Sequence, residues 1–326
     1  MLKRSLSVFL AAVLLLLCVF CVPVFAAEPA FDISDYTIED LETMTTAEKK
    51  KLMEDFIEAY NPYGLRDLME QEASAHGSFG VQPLWKSDSD PSTPVDQEIA
   101  THQLVTLEAL YAVVRDYGFY NTDGTTVFAI ALYLSAASGL PDKKERDAFT
   151  FSGHFYDPDT GKNWLEQTWP TAATRADTHY HIAYTHLKKN VNMDLKSDEF
   201  MIVLERLGKC LHYVQDACEP HHASNAIAGP GSSHSEFESY VETNIDSYLK
   251  AVPNVPTELY TQAQRVTVFG ITHSAAMRAK PYFESIADKK NQSQWNTVGR
   301  ICISNSVHYS ASVIYKLFYE CQAPFI

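Results

Sequence analysis

From Glu98 onward the chain repeats one pattern, with apolar residues three and four apart and almost no alternation of apolar and polar positions. In EIATHQLVTLEALYAVVRDYG, Ile99, Leu104, Leu107, Leu110, Tyr111 and Val114 recur at helical spacing and Gly118 follows as a stop signal. Similar spacing predicts helices over 127–138, 178–189, 198–218, 234–250 and 299–320, and an upstream helix in TAEKKKLMEDFIEAY. A half-buried strand needs period-two alternation, and that signal is scarce. The expected fold class is therefore all-α, a single compact multi-helix domain without internal repeats.

The 326 residues suffice for one large domain with appendages. At the N-terminus, Lys3 and Arg4 precede an apolar run and a small-residue site around Val24, Phe25 and Ala26, so residues 1–26 read as a signal peptide. A retained membrane anchor is the alternative, because the run approaches spanning length. No later segment reads as apolar enough to span a bilayer. Cys18 and Cys21 lie inside the signal, and neither follows the small residue that a bacterial lipoprotein site requires. The expected product is secreted and extracellular. Residues 27–84 are acidic and mixed, ending in the linker-like AHGSFGVQPLW, and read as a propeptide or N-terminal extension ahead of a domain over 85–326.

Four cysteines remain: Cys210, Cys218, Cys302 and Cys321. On one helix Cys210 and Cys218 would sit roughly 12 Å apart, beyond disulfide reach, so any bridge must cross between helices. Buried free thiols are the equal alternative. The formal charge of −15 and the lack of a Lys/Arg-rich run after the signal speak against a nucleic-acid partner. A lipid-like phosphodiester stays open if metal ions supply positive charge.

Chemistry concentrates in HYVQDACEPHHASN, residues 212–225. His212 and Asp216, four apart, project from one helix face and can meet one cation, and Pro220 turns the chain so that His222 approaches from another direction. HxxxD alone is usually a surface pair. Four metal-capable side chains within eleven residues make a stronger signal. Beyond a break at Gly229, Pro230 and Gly231, His234 and Glu238 repeat the four-residue spacing on a new helix that can fold back on the first. In TFSGHFYDPDTGKNW, Asp157 and Asp159 read as turn formers, whereas His154 sits among aromatics that can orient a ligand. His102 taken alone is a core histidine. His179, His181, His186 and His308 read as surface or packing residues.

In this order and spacing, HFYDPDTG, HYVQDACEPHHASN and HSEFE resemble the bacterial zinc-dependent phospholipase C family, trizinc all-α enzymes, from about Trp85 to the C-terminus. The pattern HYxxDxxxPxHxxN is its most specific part. The resemblance implies up to three zinc ions: one on Asp142, His154, His212 and Asp216; a second sharing Asp216 with His102; a third on His222, His234 and Glu238. His221 falls where the family has a non-ligand. The second site would also take the backbone amine and carbonyl of an N-terminal tryptophan, for which Trp85 is the candidate; an uncut Trp85 has an amide and cannot ligate that way. Asp142 matches the family's proposed general base and Phe151 an aromatic of its choline pocket.

The resemblance thus implies a monomeric metallohydrolase that meets membrane surfaces transiently and cleaves phospholipids to diacylglycerol and a phosphorylated headgroup. Lys143 stands where an aromatic is expected, and a cation there would repel choline, which directs the expectation to another phospholipid or a smaller phosphodiester. With the sequence ending at Ile326, no appended membrane-binding sandwich domain is expected. Two alternatives are a zinc nuclease or nucleotidase on the same fold and a non-catalytic zinc-stabilised binding protein.

Overall fold

A computed structural model describes residues 31–67, 101–118, 122–145, 147–191, 193–194 and 197–322. The expected signal peptide, Trp85 and the linker-like stretch lie outside the described residues. Helices follow one another along the chain: α1 (Asp40–Thr43), α2 (Thr46–Tyr60), α3 (Thr101–Tyr117), α4 (Gly124–Ser138), α5 (Leu140–Lys144), α6 (Ala148–Phe151), α7 (Ala172–Lys189), α8 (Asp198–Asp216), α9 (His234–Leu249), α10 (Thr257–Ala263), α11 (Val268–Ala279), α12 (Phe283–Ile286) and α13 (Trp295–Cys321). No strand forms among the described residues; the DPDTG turn closes through one isolated bridge, Asp157 to Lys162. The all-α expectation holds.

The periodic segments became helices because each has an apolar stripe, and several have a capping side chain as well. In α8, Ser197 caps the Phe200 amide at 3.2 Å, Asp198 and Glu199 occupy the positive first turn, and Phe200, Val203, Leu204, Leu207, Leu211 and Val214 are buried. α7 starts earlier than its apolar spacing suggested, at a capping box between Thr171 and Thr174. α10 and α11 were not predicted. The buried face of α11, Val268, Ile271, Thr272, Ala275, Ala276 and Ala279, has helical spacing, but its alanines and threonine give a faint stripe.

α4 and α5 together, Gly124–Lys144, are long and apolar enough to cross a bilayer, which corrects the expectation that no later segment is. The two helices part at Gly139 and most of the stretch is buried inside the protein, as a core helix would be. All four cysteines are free and buried, and burial pushes the Cys218 thiol up to about 12.

Residues 33–67 lie in the same compact unit as the helices that follow. α2 buries Leu52, Met53, Phe56 and Ile57, and Phe56 meets Tyr133 of α4 edge-on at 4.9 Å. Polar ties add register: the Thr46 hydroxyl donates to Asp246 at 2.8 Å, and Lys50 pairs with Glu242.

α8 approaches α4 closely at Gly208. At Gly208 an added Cβ would lie 2.5 Å from the Ala137 Cβ and 2.8 Å from the Leu134 carbonyl oxygen of α4. Gly208→Ala gains about 1 kcal/mol of helix propensity, but backbone atoms cannot yield as a flexible side chain would. The clash should win by about 1–3 kcal/mol, read as a lower thermal midpoint; an unchanged or higher midpoint would show that α4 and α8 separate freely.

Candidate metal centre

α8 ends at Asp216 with His212 one turn before it, both buried. Past the helix the chain turns tightly, the Glu219 amide donating to the Asp216 carbonyl at 2.9 Å, and a single 3-10 turn at His222–Ser224 aims His222 back at the helix end. His154 closes another 3-10 turn, Ser152–His154, and the two turns are tied by Tyr156 N–H donating to the His222 carbonyl at 3.1 Å. α5 supplies Asp142, the first turn of α3 supplies His102, and the first and second turns of α9 supply His234 and Glu238.

Every predicted ligand that falls in the described residues converges here. His212 Nε2 lies 3.0 Å from His154 Nδ1, 3.3 Å from Asp216 Oδ2 and 3.5 Å from Asp142 Oδ1. His154 Nδ1 is 2.9 Å from Asp216 Oδ2. His102 Nε2 is 3.5 Å from Asp216 Oδ1 and 3.8 Å from Asp142 Oδ2. Beside these, His234 Nε2 is 3.1 Å and His222 Nε2 3.5 Å from Glu238 Oε1. Around a tetrahedral cation with bonds of about 2.0–2.1 Å, ligand atoms stand roughly 3.3 Å apart. Among the described residues, three groups meet the geometric requirement of a metal site: His102, Asp142, His212; His154, His212, Asp216; and Glu219, His222, His234, Glu238.

Hydrogen bonds behind the rings decide which nitrogen faces inward. His212 Nδ1–H donates to the Ser138 carbonyl at 2.9 Å, His222 Nδ1–H to the His154 carbonyl at 2.9 Å, and His102 Nδ1–H to Gln215 Oε1 at 2.7 Å. The Gln215 amide is held in that sense by donating to Thr106 at 3.0 Å and Ser310 at 3.2 Å. Each ring therefore turns Nε2 toward the cluster, the arrangement that makes an imidazole a good ligand. His222 Nε2 and Asp216 Oδ1 are buried and make no hydrogen bond, which a cation would remedy.

The protonation states favour ligation at His102, His234 and Asp216 and oppose it at His212 and Asp142. Burial and the neighbouring His212 keep His102 well below the usual histidine range, and burial with His221 does the same for His234. Burial opposes charge on His212, but Asp216 and Asp142 outweigh it and lift its pKa to about 9. Asp216, which burial alone would raise, is held well below the carboxylate range by His212, His222 and His154. Burial raises Asp142.

Among curated proteins, a phospholipase C of Paraclostridium bifermentans is 29% identical over 198 residues, covering 57% of this chain and 49% of that protein. A phospholipase C of Bacillus cereus is 36% identical over 175 residues, 52% of this chain and 57% of that protein. Over about half of its length the chain is thus similar to bacterial phospholipases C. No family model matches. The chain spans about half the length of these curated phospholipases C. In fold it is similar to the alpha toxin of Clostridium absonum, with a TM-score of 0.56 at 20% identity over 72% of this chain and 66% of that one. The alpha-toxin from an avian strain of Clostridium perfringens gives 0.55 over 69% and 64%.

The other histidines and acidic residues singled out in the sequence have partners of their own. His221 uses both nitrogens elsewhere, Nδ1 to Glu219 at 2.7 Å and Nε2 to Ser233 at 2.9 Å, so it is engaged as a packing residue. Phe151 is 2% exposed and packs on His154 and Phe155, and Lys143 follows Asp142 at 8% exposed. His179 stacks on Tyr213 with burial driving its pKa down to about 3, His308 donates to the Pro253 carbonyl, and His181 pairs with Asp177 at the surface. Asp157 accepts the Asp159 amide at 2.9 Å, and both carboxylates meet Lys280. Glu219 was missed in the sequence, because a glutamate before Pro220 has no helical partner; the one available signal was its place inside the histidine-rich string.

Proposed function

We propose that this chain is a secreted zinc-dependent phospholipase C, with residues 1–26 removed on export. The observation that carries the reading is the position of Asp216, whose Oδ2 faces His154 and His212 while its Oδ1 faces His102 and lies 3.8 Å from His222 Nδ1. One buried carboxylate with imidazoles on both sides is suited to bridging two cations.

In this reading Asp142, His154, His212 and Asp216 would hold one zinc ion, Asp216 and His102 a second together with the amine of Trp85 if the chain is cut there, and His222, His234 and Glu238 a third. Bound zinc supplies an acidified water and offsets negative charge on the phosphoryl group. Asp142 would accept the proton from water. Nδ1 hydrogen bonds of His102, His212 and His222 keep the rings from turning away. Burial of Asp142, His154, His212 and Asp216 keeps bulk water from these side chains. Because residues 33–67 pack into the same unit, a cut before Trp85 would leave them docked on the body.

The test is hydrolysis of phosphatidylcholine, phosphatidylethanolamine and single-stranded DNA, each with and without chelator, on wild type and Asp142→Asn. Diacylglycerol release that chelator abolishes, zinc restores and Asp142→Asn lowers by about 10²–10⁴-fold is the expected result. Cleavage of DNA with no lipid turnover would assign the chain to the nucleases, and bound zinc with no turnover at all to the binding proteins.

A further inference from the structure

The three zinc sites proposed above leave Glu219 without a role. It lies three residues after Asp216, in the turn leaving α8, and its side chain is fully buried. Its Oε1 accepts from His221 Nδ1 at 2.7 Å, and its Oε2 accepts from the His222 amide at 2.8 Å. That second oxygen is also 3.7 Å from His234 Nε2. A carboxylate oxygen offers two lone pairs, so Oε2 can accept the amide and still meet a cation. Glu219, His222, His234 and Glu238 each place one ligand atom within 4.8 Å of all the others. Independently, His222 Nε2 makes no hydrogen bond, in a side chain 1% exposed that is aimed into this group.

We propose that Glu219 is a fourth protein ligand of the cation at His222, His234 and Glu238, which makes this a closed structural site. The inference rests on the metalloenzyme reading above. Charge supports it: two carboxylates with two neutral imidazoles balance a divalent ion completely, and a buried site disfavours any residual charge. Four protein ligands typify structural zinc, whereas a catalytic ion keeps a position for water or substrate. The site joins the end of α8 to the start of α9 across the loop that contains Gly231 at φ 93°, so the ion acts as a cross-link over a segment with few helical bonds of its own. Exchange with water and substrate is left to the cluster around Asp142 and Asp216.

The test compares zinc content and chelator competition for the whole chain as wild type, Glu219→Gln and His221→Phe. Glutamine keeps the shape and one acceptor oxygen but removes the charge; phenylalanine breaks the Glu219–His221 bond and leaves the carboxylate. The expected result is that Glu219→Gln binds its most firmly held zinc about tenfold or more weakly, while His221→Phe retains it. Unchanged affinity in Glu219→Gln would overturn the proposal, as would equal losses in the two variants, which would reduce Glu219 to a support for His221. Wild type without any bound zinc would overturn the metalloenzyme reading itself. Should Glu219→Gln fail to fold, cobalt-substituted wild type decides: the last ion released on stepwise chelation should have a four-coordinate visible spectrum that inorganic phosphate does not alter, and a spectral change on adding phosphate would overturn the closed site.

Discussion

Asp216→Asn is expected to lose metal affinity by about a hundredfold or more, and phosphodiester hydrolysis with it. Asparagine fits the same space but has one neutral oxygen where the carboxylate turns Oδ2 to His154 and His212 and Oδ1 to His102. It cannot serve two cations, and its amide would place donors against imidazole nitrogens. The charge also matters locally, since Asp216 is the strongest attraction that raises His212. Metal content per chain and hydrolysis rate at neutral pH check this. Full zinc content with unaltered turnover would mean that the convergence of these side chains has no catalytic meaning.

Metal uptake should weaken by about tenfold for each pH unit below about 9 and level off above it, because one proton competes with the ion. His212, raised to about 9 by Asp216 and Asp142, is protonated at neutral pH in the metal-free protein and must lose that proton before Nε2 can ligate. The sign in folding follows from the same shift. A folded pKa above the unfolded value of ~6.5 stabilises the metal-free fold below that value, and the stabilisation is lost as pH rises through about 9. Zinc titrations against a competing chelator from pH 6 to pH 9, with proton release followed by an indicator dye, read the effect directly. Affinity that rises on acidification would show that the ring is not a ligand.

How much was legible depended on the kind of interaction. Long helices with leucine, valine and phenylalanine stripes, such as α8, could be read from spacing, because the hydrophobic term that folds them is local in pattern. α11 could not, since alanine and threonine fill its close-packed face and the capping Thr267 was its main signal. In the site, the four-residue spacings of His212 with Asp216 and His234 with Glu238 carried information because a helix turns that spacing into proximity. His102 and Asp142 have no such local partner, and the family resemblance alone singled them out. Glu219 escaped both routes: its position is set by the turn around Pro220, a three-dimensional fact with no periodic trace.

The supports behind the three rings differ in kind. His212 and His222 lean on main-chain oxygens, those of Ser138 and His154, which every amino acid possesses. His102 leans on the side chain of Gln215. A single codon change can therefore release His102 but neither of the others, so descendants of this sequence can retune or abandon that one position while the rest of the constellation stays fixed by the path of the backbone.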